Sequence, residues 1–125
     1  SLLKDIEKKG ERLIYDINML ISKHEVENIF YISGHPSWSF LNIKNDDYID
    51  PMAIKTLVLQ EMFAQGVIFI GSHNISGANS DKDLSKLLIA YDNIFPVVKK
   101  AIENNTIMDT LRVRPITPLF QVRNK

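Results

Sequence analysis

The stretch QEMFAQGVIFIGSHNISGANSDKDL, residues 60–84, decides the predicted fold. Gln65-Gly66 predicts the end of a helix, because glycine adopts the left-handed conformation of a helix stop without a steric penalty. The apolar run VIFI, residues 67–70, then predicts a strand that is buried on both faces. A polar, glycine-bearing loop follows, and SDKD at residues 80–83 predicts a new helix start, since acidic side chains favour the first turn.

Three polar side chains at the carboxyl end of this predicted strand form the candidate site: Ser72, His73 and Asn74. Open α/β folds bind ligands at such strand ends, and an imidazole beside an amide offers both donors and acceptors. The alternative is that these residues only close the loop through local side-chain to backbone hydrogen bonds. The residues alone leave both interpretations open.

Residues 2–24 predict an amphipathic helix at the start of the chain. Apolar side chains recur there at helical spacing, with charged side chains on the opposite side. Gly10 lies on the apolar side, where glycine costs about 1 kcal/mol relative to alanine. We therefore expect a close neighbour at Gly10 that a larger side chain would exclude.

A β-hairpin is predicted next. NIFYIS at residues 28–33 and WSFLNI at residues 38–43 are rich in β-favouring side chains, and the GHPS between them is typical of a turn. Alternation places Trp38 and Phe40 on one face of the second strand, and we expect Trp38 to lie in the core. The turn itself accounts for His35.

Two more helices and a tail complete the chain. Asp50-Pro51 predicts a helix that continues to Gln65, since aspartate caps free amides and proline suits the first helical position. Residues 84–102 predict a long core helix that bends at Pro96 rather than dividing in two. Residues 107–125 predict an extended tail. This order favours a two-layer α+β fold, with a three- or four-stranded, mainly antiparallel sheet packed against helices.

The composition describes one ordinary domain. Its 125 residues are 45% hydrophobic, and 15 basic residues balance 15 acidic ones. Without a basic cluster, nucleic-acid binding is not expected. The balanced charge also disfavours a membrane-surface protein. No apolar run approaches the ~20 residues of a membrane-spanning helix, so no membrane span is expected. The absence of cysteine excludes disulfides and thiolate chemistry and fits the cytoplasmic location that we expect.

Catalytic and metal-binding motifs are sparse. His24, His35 and His73 lack the spacing of a metal-binding pair, so no metal site is expected. Neither a nucleophile elbow nor a phosphate-binding glycine motif occurs. The acidic pair at residues 46–47 is explained by loop solvation. The residues alone predict an α+β domain without a self-sufficient active site.

Five segments carry a resemblance to a known family. They are GERLIYDI (10–17), SGHPSWSFL (33–41), QEMFAQGVIFIGSHNIS (60–76), SDKDLSKLLIAYDNIFPVVKKAI (80–102) and PITPLFQVR (115–123). In this order and at this spacing, they resemble the carboxyl-terminal small domain of class III aminotransferases that depend on pyridoxal phosphate (PLP). The glutamate-1-semialdehyde aminomutase-like members are the most similar.

The resemblance implies a fold and a function together. Residues 1–125 would be the single carboxyl-terminal domain of a larger transferase or isomerase, one that moves an amino group on PLP and has the small domain of fold-type I PLP enzymes. In such enzymes the cofactor forms a Schiff base with a lysine of a large domain, where an aspartate holds the pyridine nitrogen. The implied partner is that large domain, in a homodimeric enzyme. This chain would hold no cofactor and no catalytic residue.

Under the same resemblance, Ser72, His73 and Asn74 would form the rim of the substrate entrance. Many family members carry an arginine near the position of Asn74, where its two-pronged geometry grips a substrate carboxylate. The aminomutase-like branch also lacks that arginine. The resemblance therefore leaves the amino donor and acceptor open.

Two other classes of function remain open. The chain is alternatively a free-standing α+β module that binds a small ligand or regulates through residues 72–79, or an interaction domain that dimerises through its helices. The chain starts with Ser1 inside a helical pattern, which favours a fragment. A processed amino terminus explains that start equally well.

Overall fold

The computed structural model describes residues 1–44, 50–67, 69–75 and 81–111. In chain order the elements are α1 (Leu2–Lys23), β1 (Phe30–His35), β2 (Trp38–Ile43), α2 (Pro51–Ala64), β3 (Ser72–Asn74), α3 (Asp81–Glu103) and α4 (Ile107–Thr110). The strand β2 lies between β1 and β3, and both pairings are antiparallel. The predicted α+β architecture, a small antiparallel sheet packed against helices, is confirmed.

The core lies between the helices and one face of the sheet. Its largest buried members are Leu13, Ile17, Phe30, Ile54, Leu57, Met62, Tyr91, Ile94 and Phe95. These positions include part of the apolar stripes that predicted α1 and α3, whereas Leu2 and Leu3 at the start of α1 are exposed. Helix α3 continues through Pro96 as one helix, as predicted, and a bend there stays a prediction. Over the described ranges, the helices are too short or too polar to cross a lipid bilayer.

Helix α2 begins and ends where its sequence signals predict. The Asp50 side chain accepts a hydrogen bond from the Met52 amide at 2.9 Å, and Pro51 occupies the first helical position. Gln65 follows the last helical residue, and Gly66 has a φ of +79°, which glycine adopts without strain. The predicted capping of α3 by Ser80 lies outside the described residues.

Gly10 is the point of closest approach between α1 and the hairpin. It is buried, and a Cβ at this position would overlap the backbone carbonyl of Pro36. The predicted close neighbour is thus confirmed. It is the turn that joins β1 to β2.

The prediction of a strand at residues 67–70 is wrong. Val67, Phe69 and Ile70 do not belong to a strand, and the Ile70 side chain is 77% exposed; Ile68 lies outside the described residues. The backbone turns at Gly71, which has a φ of +97°, and strand β3 begins only after it. An apolar run by itself does not distinguish a buried strand from a partly buried connection.

The hairpin is confirmed with two corrections. Strand β1 starts and ends two residues later than predicted, so only Pro36-Ser37 forms the turn. The prediction that Trp38 lies in the core is also wrong, since its side chain is 54% exposed. Alternation along β2 is as expected, but the inward positions are those of Ser39, Leu41 and Ile43.

The predicted extended tail starts as a helix instead. Residues Ile107–Thr110 form α4, and the Thr110 carbonyl accepts a hydrogen bond from the Gln60 side chain at 3.1 Å. This hydrogen bond joins α4 to α2. A contact between residues 50 positions apart cannot be predicted from a local sequence pattern. The remaining tail prediction, over residues 112–125, lies outside the described residues, as does the acidic pair at residues 46–47.

Candidate functional site

Strand β3 divides the three candidate residues between two faces of the sheet. In its pairing with β2, Asn74 lies opposite Trp38, His73 opposite Ser39 and Ser72 opposite Phe40. Because side chains alternate along a strand, Ser72 and Asn74 share the outer face of the sheet, while His73 is directed into the core. The structure therefore brings Ser72 and Asn74 together with exposed aromatic side chains and separates both from His73.

His73 belongs to a buried polar cluster with Ser39 and Tyr91, and its side chain is only 3% exposed. Its Nδ1 lies 3.0 Å from the Ser39 hydroxyl, and its Nε2 lies 2.6 Å from the Tyr91 hydroxyl. Either neutral tautomer satisfies both contacts, because one ring N–H donates and the other ring nitrogen accepts from a hydroxyl. Both ring nitrogens are thus engaged within the fold.

Burial sets the protonation state of this cluster. Desolvation lowers the pKa of His73 from 6.5 to about 4, and it raises the pKa of Tyr91 well above 10. Both side chains are therefore uncharged at neutral pH. The sequence alternatives for His73 were a ligand contact or a local loop-closing bond, and the structure instead joins it to residues 34 and 18 positions away in the chain.

Aromatic rings pack around the cluster. The Phe69 ring stacks on His73 with centroids 5.4 Å apart, and Tyr91 stacks on Phe95 at 5.1 Å. Phe95 in turn contacts Phe30 at 5.1 Å. This series of rings connects β3 to α3 and β1, and so holds the edge strand against the core.

A groove of about 520 Å³ lies beside the outer face of the sheet, next to α2. Its lining includes Trp38, Phe40, Asn42, Met52, Lys55, Leu59, Phe69, Ile70, Gly71 and Ser72. A volume of this size is typical of small-molecule sites. Of the three predicted rim residues, Ser72 lines the groove and the other two do not. The groove could not be predicted from the sequence, because strand β2, helix α2 and the connection at residues 69–71 each contribute only a few of its residues.

The other two histidines lie apart from this groove. His24 Nε2 is 2.6 Å from Asp92 Oδ1, which also contacts Lys23 at 3.0 Å, and these hydrogen bonds lower the pKa of Asp92. His35 Nδ1 accepts a hydrogen bond from the Ser37 amide at 3.1 Å, as expected for a turn. Within the described ranges, no three potential metal ligands come together.

Comparison with known proteins gives a likeness to solved structures. No family model and no curated protein matches the chain. The structure of the PLP internal aldimine form of the Sphingopyxis sp. MTA144 FumI protein is similar, with a TM-score of 0.67 and 17% sequence identity. The likeness covers 82% of this chain and 24% of that chain, so this chain spans about a quarter of the matched structure. At this identity the likeness shows the fold alone.

Proposed function

We propose that this chain is the carboxyl-terminal small domain of a PLP-dependent aminotransferase or aminomutase and supplies one wall of its substrate entrance. The observation that carries the proposal is the fold likeness, in which most of this chain matches a quarter of a structure in its PLP internal aldimine form. The five segments of the sequence resemblance favour the class III, aminomutase-like branch. On this proposal residues 1–125 are one part of a larger, cytoplasmic enzyme.

The described residues do not fit PLP by themselves. The groove offers Lys55 as an amine, but its described lining contains no carboxylate that would hold a pyridine nitrogen. The proposal therefore assigns the cofactor, its lysine and its aspartate to a large domain of the same protein, in a homodimer. This chain then contributes surface rather than chemistry.

The outer face of the sheet is the proposed entrance wall. Trp38 and Phe40 are 54% and 39% exposed there, and Ser72 and Asn74 accompany them. A cluster of exposed aromatic side chains marks a surface that contacts another protein surface or a ligand. By the sequence resemblance, Asn74 lies nearest the position at which many class III aminotransferases carry a carboxylate-binding arginine. His73 supports this wall from the core side through its contacts to Ser39 and Tyr91.

The test is to locate the cofactor lysine in the parent protein. The protein is expressed from its complete reading frame with PLP, reduced with borohydride, digested and mapped by mass spectrometry. We expect an aldimine absorption band before reduction and a single pyridoxylated lysine outside residues 1–125. The absence of an aldimine contradicts the proposal, and so does modification of a lysine within this chain.

A matched variant addresses the lysine in the groove. In the parent protein, Lys55→Met is expected to retain the aldimine band, because Lys55 has no carboxylate beside it in the described groove. Loss of the band in a folded variant would place the cofactor on this domain.

The groove favours a free-standing ligand-binding module as the second candidate function. The complete reading frame discriminates between the two candidates, since the aminotransferase proposal needs several hundred additional codons upstream. A frame that encodes only this domain supports the module.

A further inference from the structure

Lys55 places a positive charge in a mainly apolar groove. Its side chain is half-buried in the second turn of α2. A Cβ built on Gly71 would lie 3.8 Å from the Lys55 Cε and 4.0 Å from its Nζ, so the ammonium group reaches across from the helix to the start of β3. No described carboxylate forms an ion pair with it. An ammonium group that has no counterion among the described residues attracts an anion.

The remaining lining suits an apolar molecule. Trp38 and Phe40 stack on each other with centroids 5.8 Å apart and an interplanar angle of 30°, and both rings are partly open to solvent. Met52 and Leu59 line the groove from α2. Aromatic and aliphatic walls with a few polar groups are the usual composition of a small-molecule site.

The charges in the described lining of the groove indicate how much negative charge a bound anion should carry. Lys55 is the one charged side chain in the described lining, and Asn42 and Ser72 add uncharged hydrogen-bonding groups. A carboxylate carries a single negative charge at neutral pH, whereas a phosphate monoester carries about −1.5 to −2. One ammonium group therefore balances a carboxylate better than a phosphate.

From these observations we propose that the groove binds a small apolar carboxylic acid. The carboxylate lies on the Lys55 ammonium group, and the apolar body lies against Trp38 and Phe40. This inference does not rest on the aminotransferase proposal, because it requires only the groove of this chain. The borohydride experiment and the binding experiment below fail independently.

Trp38 provides the measurement, since it is the only tryptophan of the chain and it lines the groove. Phenylacetate is titrated into the 125-residue protein at pH 7, with phenylacetamide as the uncharged probe of nearly equal shape. We expect saturable quenching or enhancement of the tryptophan fluorescence by phenylacetate. The amide should bind about tenfold more weakly, because it carries no negative charge to pair with the Lys55 ammonium group.

Substitutions test the role of the lysine. Lys55→Met keeps an aliphatic stem and removes the charge, and it should weaken phenylacetate binding by about tenfold while changing phenylacetamide binding much less. Lys100→Met is the matched control, because Lys100 is exposed near the end of α3 and does not line the groove. Its affinity for phenylacetate should equal that of the unmodified protein. Thermal melting confirms that each variant is folded.

Salt dependence gives a measurement without any substitution. Raising the salt concentration should weaken phenylacetate binding and leave phenylacetamide binding unchanged, because screening acts on the ion pair. Equal affinities for acid and amide overturn the proposal. So do an unchanged affinity in folded Lys55→Met and the absence of saturable binding at millimolar phenylacetate.

Discussion

Tyr91 and Asp92 are neighbours on α3, and each lies 2.6 Å from a ring nitrogen of a histidine, but the two contacts differ in kind. Tyr91 and its partner His73 are buried, whereas the Asp92 side chain is 40% exposed and meets His24 at the surface. Consecutive helix positions point about 100° apart, which sends one side chain into the core and the next toward solvent. The two hydrogen bonds are equally short, but the buried pair of His73 and Tyr91 is held uncharged, whereas Asp92 is held in its charged form.

The two contacts respond to acid in different pH ranges. The folded state holds His73 with a pKa of about 4, below its ordinary 6.5, so the unfolded state takes up the proton first. Stability is accordingly lost as the pH falls from 6.5 to 4. The pKa of Asp92 is lowered from 3.8, mainly by the hydrogen bond to His24 and then by that to Lys23. Its contribution is present above pH 3.8 and is lost below it.

The largest expected effect is the pH dependence due to His73. We expect the free energy of unfolding to fall by about 3 kcal/mol between pH 7 and pH 4 through this residue, since each unit of pKa shift corresponds to 1.36 kcal/mol. Denaturant unfolding across this range, compared between the unmodified protein and His73→Gln, isolates the contribution. Parallel pH profiles for the two proteins would contradict the assignment.

The next effect concerns the hydroxyl of Tyr91. Tyr91→Phe keeps the ring contacts to Phe95 but leaves a nitrogen of His73 without its partner in the core. We expect a loss of about 2 kcal/mol in unfolding free energy at pH 7, the usual cost of an unsatisfied buried group. Ser39→Ala removes the partner of the other ring nitrogen and should cost a similar amount. Neutral results for both would show that the cluster is hydrated.

The smallest effect is expected at the surface contact. Asp92→Asn should cost less than about 1 kcal/mol at pH 7, because the exposed ion pair with Lys23 is screened by solvent. The cost should shrink further in high salt. Chemical denaturation at two salt concentrations checks this. A loss of unfolding free energy as large as that of Tyr91→Phe would contradict the conclusion that the surface contact of Asp92 contributes less than the buried contact of Tyr91.

The helices of this fold could be predicted because their signals are local. The apolar periodicity of α1 and α3 and the Asp50-Pro51 start of α2 lie within each helix, and the structure confirms them. The burial of Ser39 on β2, by contrast, could not be predicted from local signals. Ser39 is buried because its hydroxyl forms a hydrogen bond with His73, which lies 34 residues later in the chain. Local sequence patterns do not predict a contact over that separation.

The candidate site shows the same division. The composition of residues 72–74 marks them as unusual, and two of the three do reach the outer face of the sheet. Their conformation was predicted as a loop, because the apolar run before Gly71 looks more like a strand than β3 does. The groove itself depends on how α2 lies beside β2, a packing relationship that periodicity does not specify.

The contact between Gly10 and Pro36 reverses the usual ranking of helix residues. Alanine favours a helix over glycine by about 1 kcal/mol, yet at position 10 its methyl group would collide with a backbone carbonyl that has no rotamer to escape into. The turn at Pro36 leads directly into Trp38, so a displaced turn moves one aromatic wall of the groove. Gly10→Ala, a change that designers make to stabilise helices, is therefore expected to lower the melting temperature of this domain. It is also expected to weaken binding at the proposed ligand site, which residue 10 does not contact.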